Sequence, residues 1–375
     1  MKPNKSGSKQ KNILLISLPF AAFAVGLLIW AALRSFGTVG HTPTPVVTPY
    51  ENTDSAVSAT PLPTPEITPS PTPNPDGLTA ANGVTTVAWI SDTQHYSEGH
   101  AEIFSRMTRF LEQERKRLNL RYVVFTGDFV QHYDAPAEWE TAVSAMQNLS
   151  AIACGVLAGN HDVGGSALDF SAYGERFGED VMRAWAGGAH YGGSYKNNLA
   201  HYDLITLGGR DFVFAYVSYA PDLDAVKYLN DVFRQYKNRI GVLCAHDYFD
   251  SDFSYSDSGA LLLERVVKTN PNVYLVMCGH RYNVGHVPAA FDDDGDGTAD
   301  RSVYQLMCNY QAAGQTGGEG YMQFLQFDFG AGVVRVQSYS PWTNDHRYHD
   351  TPGAQEEKYA VDPENEEYTF DMPWD

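Results

Sequence analysis

Six stretches of the chain, TTVAWISD, YVVFTGD, CGVLAGN, FVFAYVSY, IGVLCAHD and VYLVMCGH, are almost unbroken runs of β-branched, aromatic and other apolar residues. A strand with one face in water alternates polar and apolar side chains, so runs like these must be covered on both faces. Helices can supply the cover, and the intervening segments are patterned for it. In HAEIFSRMTRFLEQERKRL, Ile103, Phe104, Met107, Phe110, Leu111 and Leu118 recur at spacings of three and four; in PAEWETAVSAMQNL, Trp139, Val143, Met146 and Leu149 do so behind Pro136. DLDAVKYLNDVFRQYK and SGALLLERVVKTN predict two more helices, with Asp222 and Ser258 as caps. SVYQLMCN, YMQFLQFDF and GVVRVQSY lie closer together and alternate more clearly, which predicts an antiparallel portion. The reading is one α/β domain over residues 82–348.

The chain ahead of this domain cannot join its core. A basic segment, 1–12, carries Lys2, Lys5, Lys9 and Lys11 and precedes an uncharged run over 13–33. A helix of that length spans roughly 31 Å, enough for a bilayer. Residues 34–81 hold ten of the chain's 20 prolines, many in Thr-Pro units, and read as an extended, solvated stalk. The lysines before the apolar run keep the amino terminus in the cytoplasm and place the domain outside the cell on a single-pass anchor; a cleaved signal peptide, giving a secreted protein, is the competing reading. Residues 349–375 read as an acidic tail whose aromatic residues can dock back on the domain.

The charge excludes one class of partner. There are 26 Lys and Arg against 45 Asp and Glu, and five of the basic residues lie at or before Arg34. The domain therefore has no electrostatic footprint for nucleic acid, and we expect a monomer. Cys154, Cys244, Cys278 and Cys308 each lie in an apolar run and read as buried thiols, Cys244 and Cys278 being the pair to test for a disulfide.

The polar residues of interest follow the apolar runs. Asp92 follows VAWIS, Asp128 follows VVFTG, Asn160 and His161 follow GVLAG, His246 follows GVLCA, and His280 follows YLVMCG. Ligands of open α/β sheets bind outside the carboxyl ends of the strands, so residues far apart in sequence can converge there. Asp, Asn and His together offer hard oxygens and imidazole nitrogens, a donor set suited to Mn, Fe, Zn or Mg.

In order, spacing and strand context this series resembles the calcineurin-like metallophosphoesterase family, whose motifs run D-x-H, G-D, G-N-H-D/E, a lone His, and G-H-x-H. TGD matches at Asp128, GNHD at Asn160, His161 and Asp162, AHD supplies His246 and GH supplies His280. The resemblance implies a four-layer α/β/β/α sandwich with two divalent metal ions. Asp128, Asn160, His246 and His280 would hold one ion, Asp128 would bridge to the other, and Asp92 and Gln94 would belong to that second site. His161 would contact a phosphoryl oxygen or protonate the leaving alkoxide, with Asp162 either orienting it or serving the turn. The implied reaction is hydrolysis of a phosphomonoester or phosphodiester on a small phosphorylated substrate.

Two family imidazoles are missing. Gln94 stands where the first motif has His, and Tyr282 where the last has its second His. His95, His132 and His286 are the nearby candidates to replace them, while Tyr282 also reads as a substrate contact at the rim. This supports an alternative in which a degraded centre leaves a binding or structural module at the cell surface. FDDDGDGTAD has the D-x-D-x-D-G spacing of a calcium loop at Asp292, Asp294 and Asp296, with Asp300 further on, so residues 292–300 read as a structural Ca site or an acidic hairpin turn. Residues 184–203 are rich in Gly, Tyr and His and read as a substrate-facing loop, with Tyr191, Tyr195, Asn197 and Asn198 as candidate contacts. Asn309, Tyr310 and Gln311 are expected at a strand end near the crevice.

Overall fold

The computed structural model describes Leu78, residues 83–354 and residues 360–374. The expected basic segment, membrane helix and stalk lie outside the described residues, Leu78 excepted. Among the described residues no helix is long and apolar enough to cross a membrane.

The six apolar runs divide between two sheets. β1 (Val84–Ile90), β2 (Leu120–Phe125) and β3 (Cys154–Val156) lie parallel in the first. The second contains β4 (Tyr191–Tyr195), β5 (Ala200–Leu207), β6 (Arg210–Val217), β7 (Ile240–Ala245), β8 (Val273–Cys278), β9 (Asn283–Phe291) and β10 (Arg301–Asn309), in the order β4-β5-β6-β7-β8-β10-β9. Its centre, β6 to β8 and β10, is parallel, and its edges are antiparallel. β11 (Met322–Asp328), β12 (Val333–Tyr339) and β13 (Tyr368–Asp371) return to the first sheet and extend it antiparallel from β1.

The central strands bury both faces because each sheet has a helix layer on one side and the other sheet on its opposite side. In β1, Ala88 and Ile90 pack with Phe104, Met107, Leu111, Trp139 and Met146 of the helices that follow α1 (Gln94–Gly99), namely α2 (Ala101–Glu114) and α3 (Pro136–Gln147). Val87 and Trp89, one residue out of phase, pack with Phe214, Tyr216, Cys244 and Met277 of the second sheet. Two short helices, α4 (Ser171–Phe177) and α5 (Glu179–Ala184), precede β4. The outer face of the second sheet lies beneath α6 (Leu223–Gln235) and α7 (Asp257–Leu262), through Val226, Leu229, Phe233 and Leu262. Burying a side chain such as Leu229 contributes about 2 kcal/mol.

Several details differ from the sequence reading. SVYQLMCN forms β10, which is parallel to β8 in the second sheet and antiparallel only to β9. Asp222 caps α6 by accepting from the Ala225 amide at 2.7 Å, whereas the cap of α7 is Ser256, two residues before the expected Ser258, accepting from the Gly259 amide at 3.0 Å. The segment expected as an acidic tail is woven into the fold. β13 pairs with β12, and α8 (Pro363–Glu366) buries Glu366, whose carboxylate accepts from the Tyr310 and Ser338 hydroxyls and the Tyr348 amide. Five donors around one carboxylate, the His349 amide and ring included, make this acidic residue a core element. All four cysteines are buried free thiols, Cys244 and Cys278 among them.

Candidate metal centre

The chain turns sharply where the strands of both sheets end. Asp92, Asp128 and His280 all have left-handed backbones, with φ of 54°, 56° and 71°. Non-glycine residues in this region are strained, and such strain persists where the surroundings over-determine it. Gly127, at φ 97°, permits the second of these turns; a Cβ there would lie 2.7 Å from both the His246 Nδ1 and the Gly159 amide. The backbone therefore packs directly against a ring that faces the centre.

One group of donors converges closely. Ligand atoms of Asp128, His246 and His280 all lie within 4.8 Å of one another. The His246 Nδ1–H donates to the Thr126 carbonyl at 2.8 Å, which directs Nε2 at the Asn160 Oδ1, 3.0 Å away, and at the Asp128 Oδ2, 3.4 Å away. A neutral ring in this tautomer would turn a lone pair on two oxygens, so the arrangement calls for a cation between them. In the metal-free protein a proton serves: burial lowers the affinity of His246 for it, but the Asp128 and Asp92 carboxylates more than compensate and hold its pKa at about 10. Burial would raise Asp128, yet the charged His246 beside it holds it below the usual carboxylate value. Burial and the charge on His246 push His280 down to about 4, leaving it neutral and able to coordinate.

The other group of donors is sparser. The Gln94 Nε2 donates to the Asp128 Oδ2 at 3.1 Å, and its buried Oε1 has no hydrogen-bond partner. An orphaned amide oxygen at this position fits a ligand to a cation. The Asp92 carboxylate accepts from the Ser91 hydroxyl and from the His280 amide at 3.1 Å, while burial raises its pKa to about 7. These residues suit oxygen coordination, with no imidazole among them.

Gln94, Asp128, Asn160, His161, His280 and Tyr282 line one crevice of about 230 Å³. His246 lies fully buried beneath. The His161 amide donates to the Asp128 Oδ1 at 2.9 Å and its Nδ1 pairs with the Gln131 carbonyl at 3.0 Å, leaving Nε2 for the crevice. Asp162 does not orient His161. Its carboxylate accepts from the amides of Phe129 at 2.7 Å, Val130 at 3.1 Å and Gly159 at 2.8 Å, so it clamps two loops together.

The Gly- and Tyr-rich segment forms the β4–β5 hairpin. Tyr191 is buried in β4 and donates to the Asn198 Oδ1 at 2.9 Å; Asn198 in turn donates to the Phe177 carbonyl, and Asn197 accepts from the Glu179 amide. Tyr195 sits away from the metal crevice with its hydroxyl 3.3 Å from Asp222. None of the three histidines offered as replacements lines the crevice: His95 pairs with Glu98, His132 with Glu138, and His286 stacks on Tyr368 at 3.8 Å.

Asn309 donates to the His280 carbonyl at 3.0 Å and Gln311 reaches the crevice, while Tyr310 turns away to Glu366. Ser251 and Arg281 also line it and were not singled out in the sequence. Arg281 carried a signal, since it is a guanidinium between His280 and Tyr282; its Nε lies 3.2 Å from Asp250. In the β9–β10 loop Asp292, Asp294 and Asp300 bring carboxylate oxygens within 4.8 Å of one another.

The sequence profile of the calcineurin-like phosphoesterases matches residues 85–282. A Bacillus subtilis (strain 168) protein, "Uncharacterized protein YvnB", is 38% identical over 278 residues, which are 74% of this chain and 21% of that protein. The present chain thus spans about a fifth of that relative's length. Among solved structures, a purple acid phosphatase from yellow lupin (Lupinus luteus) seeds is similar in fold, with a TM-score of 0.50 and 9% identity over 79% of this chain and 56% of that one.

Proposed function

The chain belongs to the calcineurin-like phosphoesterase family, and from that premise we propose that it hydrolyses a phosphomonoester or phosphodiester with two divalent metal ions. The observation that carries this reading is the His246 Nε2 facing the oxygens of Asn160 and Asp128, with the Gln94 Oε1 unpartnered across Asp128. Asp128, Asn160, His246 and His280 would hold one ion, and Asp92, Gln94 and Asp128 the other. Bound ions, Mn, Fe, Zn or Mg, supply Lewis acidity and a lowered pKa for the attacking water.

The chain's own residues do the rest. Asn160 and Arg281 orient the phosphoryl group, and Tyr282 packs on the substrate at the rim. The His161 Nε2 donates its proton to the departing ester oxygen, so that the P–O bond breaks as the new one forms and an alcohol leaves. The Gln131 carbonyl fixes the ring for that transfer. We also place the domain outside the cell on the 13–33 anchor, and a structural calcium at Asp292, Asp294 and Asp300.

The test is metal removal and return. Chelation should abolish hydrolysis of a panel of monoesters, diesters, nucleotides and diphosphates, readdition of one of the four metals should restore it, and anomalous scattering should show two ions. A folded, metal-loaded chain inactive on the whole panel would instead favour the alternative, a surface binding module that keeps the fold.

A further inference from the structure

Beside the metal crevice lies a second cavity, of about 190 Å³, with a different chemical character. Leu168, Phe170, Tyr195, Leu199, Tyr219 and Pro221 are among its walls. Its one cationic side chain, Lys196, is already paired with Asp222 at 2.9 Å, so the cavity is neutral and largely apolar. Tyr219 is the wall that faces the metal ligands, its ring 5.8 Å from that of His280 and 6.1 Å from that of His246. Leu168 stands on the loop that follows Asn160 and His161, closed by the backbone pair Gly164 and Asp169, and is 40% exposed. Leu168 and Ala220, both in the wall, hold left-handed backbones at φ 51° and 54°. Strain of this kind costs on the order of 1 kcal/mol or more per residue and gathers at ligand clamps.

We propose that this cavity is the subsite for an uncharged, ring-bearing group of the ester, with Tyr219 as its wall on the side of the metal ligands. The inference rests on the phosphoesterase reading and adds the substrate class. A cavity of about 150 Å³ accepts one benzene ring, so the volume here suits a single ring. A second anionic group would meet the Asp222 carboxylate and an ammonium already engaged, whereas a ring meets leucine, phenylalanine and tyrosine side chains.

The experiment is calorimetric titration of the full chain loaded with Mn²⁺, with benzylphosphonate, methylphosphonate and phosphonoacetate. Benzylphosphonate should bind about tenfold more tightly than methylphosphonate, the increment expected for burying one ring. Leu168→Asp should bring that ratio close to one and Leu168→Met should keep it. Asp tolerates the left-handed backbone, and metal content reports that the variant is folded. Equal affinities in the natural chain, an unchanged ratio in Leu168→Asp, or tighter binding of phosphonoacetate would each overturn the subsite. Failure of the phosphoesterase reading has a separate signature: no phosphonate binds and no ester is hydrolysed, and the subsite falls with it.

Discussion

On one side of the crevice His246 and His280 bring two imidazoles to the carboxylate of Asp128 and the amide oxygen of Asn160; on the other, Asp92 and Gln94 bring oxygens only. The nitrogen-rich half is also the more firmly built, since the Thr126 carbonyl fixes the His246 tautomer and the Asn309 amide holds the His280 backbone. In the oxygen half Gln94 spends its nitrogen on Asp128, which leaves a single neutral oxygen to coordinate. Borderline metals favour imidazole over a neutral amide, so the two halves should load in sequence rather than together. The comparison also shows that one residue, Asp128, belongs to both halves.

That shared position gives the largest expected effect. Asp128→Asn should lower kcat/KM by about 10³-fold, about 4 kcal/mol, and release both ions on dialysis, whereas Gln94→Ala should cost about tenfold and release one. Equal losses in the two variants, measured by turnover and metal analysis, would erase the distinction between the halves. Next comes His161→Ala, expected to lower kcat by about 10²-fold with metal content unchanged, the effect shrinking for esters whose alcohol leaves without protonation.

The nitrogen half should also carry the stronger pH signature. In the metal-free protein the pKa of His246 is raised to about 10 from an ordinary 6.5, so it stabilises the fold fully below 6.5 and loses that contribution as pH rises to 10. Asp92, raised to about 7 from 3.8, loses its contribution over the lower interval. Thermal melts of the metal-free chain should therefore fall from pH 7 to 10. The metal-loaded chain should lack this decline, because the ion replaces the His246 proton; equal declines in both forms would remove His246 from the ligand set. The smallest effect is a gain: Gln94→His should tighten the weaker site by about tenfold, read as the concentration of metal needed for the second equivalent.

The strand ends were legible because their signal is local. An apolar run followed by Gly-Asp, Gly-Asn-His or Gly-His needs only nearest-neighbour physics to place a donor at a strand end, and Asp128, Asn160, His161 and His280 stand there, with His246 after the apolar run that ends in Ala245. Tyr191 reads as a loop residue because a Gly- and Tyr-rich stretch satisfies loop and hairpin statistics alike, whereas it is buried in β4. The hairpin formed because β5 pairs with β6 along its whole length. Asp162 was ambiguous for a related reason: a carboxylate beside a catalytic histidine can serve the ring or the backbone. Three amides more than thirty residues away, or across one tight turn, claimed it.

The sequence by itself determined the α/β class, the strand-end donors and the loss of two imidazoles, since periodicity and motif spacing act within a few residues. Only the tertiary structure decided that the runs divide between two sheets, that the acidic carboxyl-terminal segment closes the first of them, and that Glu366 is buried. It also decided where the neighbouring histidines and Gln94 find their partners. His95, His132 and His286 are close in sequence but are engaged by Glu98, Glu138 and Tyr368, while the Gln94 nitrogen finds Asp128 across 34 positions and leaves its buried oxygen without a hydrogen-bond partner. Such contacts depend on how separate elements dock, and that information is spread over the whole core.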